Sequence, residues 1–344
     1  LAWRDVSAFS LSAGDRPEIR LAVSPEIVAR LAADEVIASW NADMPPGSTL
    51  EIAARALYPD RATKFYVLGR WSSDPDSAPR ESVPGQADDA GDVRTDMLVL
   101  SRPARRFQVR LRLGAGRDGR WPAIKLLALS FADTTWQGPA LPPNRAAWGK
   151  VIDVPKRSQL AYVGGEQWCS PASTAMVLAY WSACLARPDL QPDVPEVARW
   201  VHDPHWPGTG NWAFNTAFAG AQPGLRAYVT RLSDVAELED WIAAGLPVVV
   251  SVNHTVLQGR AGPPRGHLVV CVGFTDNGDV VVNDPGTRHQ VRRIFPRQNL
   301  IEAWTHSRRT VYLIQPETVA PPPDRFGHWL AADESAMPKR AGAQ

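Results

Sequence analysis

Gly165-Glu166-Gln167-Trp168-Cys169-Ser170-Pro171-Ala172-Ser173 is the stretch that decides how this chain is read. A cysteine stands just before Ser-Pro and an apolar run from Ala172 to Ala186. Proline is favoured in the first helical turn, where its missing N–H had no partner in any case. The pattern predicts a buried helix that begins at or beside Cys169. Aligned peptide dipoles place roughly half a positive charge at such a terminus. With a cationic histidine nearby, a thiol held there falls from a pKa of about 8.5 toward roughly 3.5–7.5 and becomes a nucleophile at neutral pH. The competing reading is a space-filling residue, because free cysteine is often simply buried.

A nucleophilic cysteine needs a base, a group that orients the base, and donors for the oxyanion. Gly266 to Phe274 reads as a strand that begins at His267, and Val280 to Pro285 as a second strand that ends at Asp284. Between them lies Asp276-Asn277-Gly278-Asp279, and an Asn-Gly turn between β-branched runs is a strong hairpin signal. Counted back from that turn, His267 faces a position near 286 to 288. Asp284 is then two to four places short of direct opposition, so contact calls for a different loop, a bulge or sheet twist. Taken singly, His267 is a histidine at a strand edge and Asp284 a turn residue before proline. The order Cys, His, Asp is what draws them together.

From about Val151 to Pro316 the chain resembles cysteine peptidase family thirty-nine, the papain-like family that includes the bacteriocin-leader peptidases. It is most similar to the stand-alone bacterial branch. The resemblance rests on Asp153-Val154-Pro155-Lys156-Arg157-Ser158-Gln159, Trp168 to Ser173, Gly210 to Ala217, Gly245 to Ser251, Gly266 to Val270 and Val281 to Pro285, in that order. It implies Cys169 as nucleophile, His267 as general base and later acid, and Asp284 as the residue that orients the imidazole, with Asn283 as runner-up. It also implies an oxyanion-binding glutamine, Gln159, with Gln167 as the alternative, beside the backbone N–H of Cys169. The leader peptidases are usually fused to a membrane transporter. Here no run of 18 or more apolar residues exists, so no membrane span is expected and the leader substrate does not carry over.

Composition sets wider bounds. A chain of 344 residues suggests two domains, and an apolar fraction of 44% is enough for a substantial core. A net charge of +1 gives no reason to expect nucleic acid as a partner. Three cysteines, Cys169, Cys184 and Cys271, form no even framework, and the latter two are expected in the core. The opening Leu1-Ala2-Trp3 lacks a starting methionine. The chain is therefore expected to be a trimmed, secreted or cell-envelope product, with a cytoplasmic location left open.

Residues 1–136 have a different texture. Leu50 to Ala56, Lys64 to Trp71, Phe107 to Leu113 and Ala123 to Phe131 read as strands, and only Pro25 to Ala33 looks briefly helical. An all-β, sandwich-like accessory domain is predicted. Trp3, Trp40, Trp71, Trp121, Trp136 and Trp148 fall in or just after it. They are read as core, with a glycan- or cell-wall-binding face as the alternative. Ser72 to Gly91 is expected to be a mobile loop, 137–150 a linker, and 317–344 a Pro-rich, poorly ordered tail.

Within 151–316 the expected order is helices first, at Ala172 to Ala186, Val194 to His202 and Trp212 to Gly220. A mixed sheet follows, with a helix over Asp234 to Ala244 capped by Asp234. The fold class is α+β, a papain-like cysteine peptidase domain behind an all-β domain. Asn253 to Arg265 is expected to overhang the cleft. No cofactor is implied, and His202 and His205 lack the further ligands a metal site needs. The function read from this is hydrolysis of peptide or amide bonds in a peptide or protein substrate. Another thiol acyl-transfer enzyme (an amidase, transglutaminase or cell-wall endopeptidase) and a non-catalytic glycan-binding protein are the alternatives.

Overall fold

The computed structural model describes residues 1–327 other than 77, 79 and 137–140. Two antiparallel sheets organise it. The first joins β1 (Ala2–Trp3), β2 (Ser10–Ala13), β3 (Ile19–Val23), β4 (Ile27–Asp43), β5 (Thr49–Leu57), β6 (Tyr66–Ser72), β7 (Gly91–Arg94), β8 (Met97–Gly114) and β9 (Ala123–Ala132). Strand β8 is its spine, with β3 and β4 along one edge and β5 and β7 along the other. Register shifts in β4 and β5 bend the strands, so the all-β half forms one curled sheet rather than two stacked ones.

The second half begins with α1 (Cys169–Leu185), α2 (Val194–Val201) and α3 (Trp212–Ala221). Then come β10 (Leu225–Arg231), α4 (Val235–Ala243), β11 (Val248–Asn253), α5 (His254–Leu257), β12 (Gly266–Phe274), β13 (Val280–Asn283), β14 (Arg292–Phe295), α6 (Arg297–Thr305) and β15 (Thr310–Pro316). The strand order is β10-β15-β11-β12-β13-β14. Helix α1 packs on β12, and Asp234 caps α4 by accepting from the Ala236 and Glu237 amides. The helices come first and the sheet later, the α+β arrangement expected. Among the described residues no helix is long and apolar enough to cross a membrane.

The halves share one apolar core. Trp40 and Trp71 of the first sheet meet Phe214 of α3 at ring-centroid distances of 6.1 and 5.4 Å. The outer edge of β10, a row of backbone groups open to pairing, is covered by side chains of β4. Asn41 bonds both the N–H and the C=O of Ala227, and Ser39 accepts from the Val229 amide. Glu35 lies buried between Arg231 and Arg308. Six tryptophans had carried the glycan alternative. Trp40 and Trp71 are core, Trp3 and Trp121 are partly buried against it, and Trp148 bonds Glu239. Only Trp136 among them is exposed, so their packing fits the core reading.

Four local expectations need correction. Pro25 to Ala33 is not helical. Its residues 27–30 alternate buried and exposed as the start of β4, and pairing with β8 overrides the helix preference of its alanines. Cys184 is exposed, not core, because it lies in the last turn of α1 beyond the buried stretch. Within 72–91, expected as a loose loop, the described residues 80 and 81 are anchored. Arg80 is buried between Trp71 and Trp200, and Glu81 pairs with the Arg70 backbone. The start of the expected tail is docked, with Arg325 paired to Asp240, while 328–344 and linker residues 137–140 lie outside the described residues.

Candidate active site

Cys169 is the first residue of α1, preceded by Trp168 as N-cap with no side-chain cap. Its own N–H makes no hydrogen bond among the described residues, which leaves a donor at the helix start. Burial works against ionisation of the thiol. The hydrogen bond and charge of His267, with the Leu268 and Ser170 amides, outweigh it and hold the thiol below its ordinary value.

His267 and Asp284 are brought together by one irregularity. In the β12–β13 ladder Phe274 opposes Val280 and Gly273 opposes Val281, but Cys271 opposes Val282 and Val270 opposes Asn283. The bulge between Cys271 and Gly273 shifts the register by one residue. A one-residue slip moves every later side chain to the other face. Extended past the bulge, the ladder sets His267 opposite position 286, so Asp284, two places short, shares its face. Without the bulge it would lie on the opposite one. Gly273 lets the Lys150–Val151 backbone pack against the bulge, because a Cβ there would sit 2.1 Å from the carbonyl oxygen of Lys150.

His267 Nε2 is 2.7 Å from Asp284 Oδ1, which leaves Nδ1 as the ring nitrogen free to face the thiol. The Gly286 amide donates to the same oxygen at 2.9 Å. Burial disfavours the imidazolium, yet its hydrogen bonds to Asp284 and Cys169 and their charges raise His267 to about 9. Burial likewise opposes ionisation of Asp284, and hydrogen bonds from His254 and His267 override it, so the carboxyl lies far below the usual range. Asn283, the runner-up, is turned away, donating to the Val154 carbonyl and accepting from Arg292.

His254 is the residue that sequence reasoning missed. Its ring stacks on His267 at 4.1 Å, and its Nε2 is 3.2 Å from Asp284 Oδ2. Arg293 reaches that oxygen at 3.1 Å. An ionised carboxylate only accepts, so this bond puts the proton on His254 Nε2, and the Gln258 amide 2.9 Å from the same nitrogen must then turn its oxygen toward it. Burial, then the charge of His267, hold His254 below its ordinary value against the pull of Asp284. The pairing of β11 with β12, Val252 opposite His267, is what brings the residue after β11 beside that histidine. The donor atoms of His254, His267 and Asp284 lie within 4.8 Å of one another. Asp284 already meets N–H donors on both oxygens, one of them a guanidinium, so the cluster suits a hydrogen-bonded anion better than a metal.

Gln159 is buried beside the same cleft, its backbone N–H bonded to the Pro285 carbonyl next to Asp284. Its Nε2 donates to the Glu166 carbonyl at 2.7 Å, and the second N–H of that amide remains available. Gly165 makes this approach possible, since a Cβ there would fall 2.0 Å from the Gln159 carbonyl oxygen. Gln167 is exposed at the rim. Cys169, His267, Gln159 and Gln167 all line one cleft of about 890 Å³, and so does the turn Arg94–Met97 from the first half. The loop before His267 forms part of its wall through Gln258, Arg260 and Arg265, as expected.

Residues 18–131 match the Peptidase C39 N-terminal domain, and residues 151–312 match the Peptidase_C39 like family. Each half of the chain thus matches a C39 peptidase family model. Uncharacterized proteins of Mycobacterium tuberculosis and Mycobacterium bovis are each 37% identical over 82 residues, covering 21% of this chain and 35% of theirs. The chain thus spans about a third of the length of the curated relatives it matches. A candidate C39-like peptidase of Bacillus anthracis, solved by crystallography, aligns over 48% of this chain and 97% of its own, with 18% identity and a TM-score of 0.37.

Proposed function

We propose that this protein is a cysteine peptidase that hydrolyses peptide or amide bonds through Cys169, His267 and Asp284. The observation that carries the reading is the placement of His267, bonded through Nε2 to a buried Asp284 and adjoining a thiol at a helix start. In the resting pair the proton sits on the imidazole and the negative charge on sulfur. The thiolate attacks the scissile carbonyl carbon, the C–S bond forms, and the carbonyl π electrons move to oxygen. The Cys169 N–H and the Gln159 amide are the donors for that oxyanion. Collapse expels the amine, which takes its proton from His267. Water then gives a proton to His267 as its oxygen attacks the thioester, and the C–S bond breaks to restore the thiolate. Asp284 keeps the imidazole oriented throughout.

The test is alkylation of the native protein by iodoacetamide from about pH 4 to about pH 9, mapped by mass spectrometry. Exposed Cys184 is a second free thiol in the same molecule and serves as the reference. Cys169 is expected to react much faster than Cys184 at about pH 6, and His267→Ala to abolish the difference. Equal rates at the two cysteines would sink the proposal.

A further inference from the structure

We infer that the cleft selects anionic peptide segments, with Arg94, Arg260 and Arg265 recognising carboxylates that flank the scissile bond. This rests on the peptidase reading of the same cleft.

The three guanidiniums come from separate places. Arg94 precedes the two-residue turn between β7 and β8 in the first half, while Arg260 and Arg265 lie on the loop leading into β12 and His267. All three are exposed, and none meets a carboxylate among the described residues. That contrasts with the arginines around them. Arg231 and Arg308 hold Glu35, Arg293 holds Asp284, and Arg297 holds Glu239. The one acidic residue in the Arg94 turn, Asp96, is buried and spends its Oδ2 on the Trp212 and Ala213 amides of α3. Glu166, beside Gln167, is the other carboxylate of the lining.

The turn is also held on purpose in an unfavourable shape. Thr95 has φ 63°, a left-handed conformation that a β-branched residue adopts rarely. Asp96 fixes it from the other side, so Arg94 is presented to the cleft by a contact across the two halves. Like charges gathered at a concave wall repel one another and concentrate anions there. The planar guanidinium fork matches a carboxylate in two parallel hydrogen bonds. A peptide carrying Asp or Glu beside the cleaved bond is the ligand of that chemistry which the nucleophile in the same cleft can use.

The probes are iodoacetate and iodoacetamide, one alkylating group with and without a negative charge. Their rate ratio at Cys169, divided by the ratio at Cys184, reports the field in the cleft. In the full chain this quotient is expected to fall about threefold or more in the combined variant Arg94→Gln, Arg260→Gln, Arg265→Gln, and likewise in about 1 M salt. Thermal unfolding checks that the variant is folded, and each single substitution gives the same reading if the combination is not. A quotient unchanged by the substitutions overturns the inference. Failure of the peptidase reading shows elsewhere, as an iodoacetamide rate at Cys169 no higher than at Cys184. Digestion of a mixed peptide library gives the second measurement: Asp and Glu enriched around the cut sites support the inference, and cut sites without that enrichment refute it.

Discussion

Two sets of residues around the cleft, one fixed and one open, are built on different principles. One holds Cys169, His267 and Asp284, and there each polar atom of Asp284 is met: His267 and Gly286 on Oδ1, His254 and Arg293 on Oδ2. The other carries Arg94, Arg260 and Arg265, exposed and without carboxylate partners among the described residues. A buried charge is tolerated only when it is paired and hydrogen-bonded, so the first set is fixed before any substrate arrives. Exposed arginines keep their freedom and their hydration until a ligand supplies the missing anion. Chemistry needs the first kind of set, and discrimination between substrates suits the second.

The largest effects are expected in the fixed set. Cys169→Ala removes the proposed nucleophile, and kcat/KM for any cleaved peptide should fall by about 10³-fold or more. A variant that still cleaves at the parental rate would break the whole comparison. Asp284→Asn should come next, at about 10²–10⁴-fold, because the neutral amide no longer stabilises the imidazolium. It also leaves His254 and Arg293 facing an uncharged group, so stability should drop by about 3 kcal/mol or more. The pH signs follow from the shifts. Asp284 lies below its unfolded value, so its contribution is present above about pH 4 and lost as pH falls through its folded pKa. His267 is raised to about 9, so its contribution is complete below about pH 6.5 and lost as pH rises through 9. Chemical denaturation at stepped pH should show the loss on both sides in the parent. In Asp284→Asn the alkaline loss should move toward neutrality, and an unmoved limb would show that Asp284 does not set the His267 pKa.

These sets were not equally visible in the sequence. The helix that begins at Cys169 and the hairpin that carries His267 and Asp284 are local patterns, each set by a few neighbouring residues, and both lie where the sequence places them. The register was not legible, because one bulge at Cys271–Gly273 decides which face Asp284 takes, and bulges leave little mark on residue alternation. His254 was missed because its partner is 30 residues away and the strand pairing that joins them is not encoded in either segment alone. The curled first sheet was harder still. Its spine β8 pairs with four other strands, and its alanine-rich β4 gains strand character only from pairing. The contribution of Arg94 to the cleft depends on how the two halves meet, and nothing in the turn itself announces it.

His254 sharpens the comparison from inside the fixed set. It takes the second oxygen of Asp284 and covers one face of His267, so it is a positioning residue that acts through those two. His254→Ala should lower kcat/KM about tenfold, roughly what loss of one orienting hydrogen bond to a charged group costs. The discriminating readout is the acid limb. His254 lies below its unfolded value, so it is neutral in the working protein and its contribution disappears as pH falls through its folded pKa. Protonation there sets a second cation against His267 and Arg293. Removing it should therefore leave more of the activity in place under acid conditions relative to the neutral optimum, measured as kcat/KM against pH. A structural role alone would lower the whole profile without changing its shape, as would be seen if His254→Ala and the parent gave parallel curves.

The smallest effect is expected where the second set is anchored. Asp96 fixes the turn that carries Arg94 by accepting from the Trp212 and Ala213 amides at 2.8 and 3.2 Å. Burial raises its pKa to about 6 against the pull of those same amides. With the folded value above the unfolded one, its contribution to stability is greatest below about pH 4 and declines as pH rises through 6. Asparagine accepts the same two hydrogen bonds without a charge to bury. Asp96→Asn should therefore change stability at neutral pH by no more than about 1 kcal/mol, the usual scale of a helix-capping change. It should also flatten the stability profile between about pH 4 and pH 7. Asp96→Ala removes the acceptor, frees the strained Thr95 turn and should reduce the charge selectivity of Cys169 alkylation toward that of the Arg94 variant. If Asp96→Ala leaves that selectivity intact, the turn does not need its anchor to present Arg94, and the two sets are less coupled than the hydrogen bonds imply.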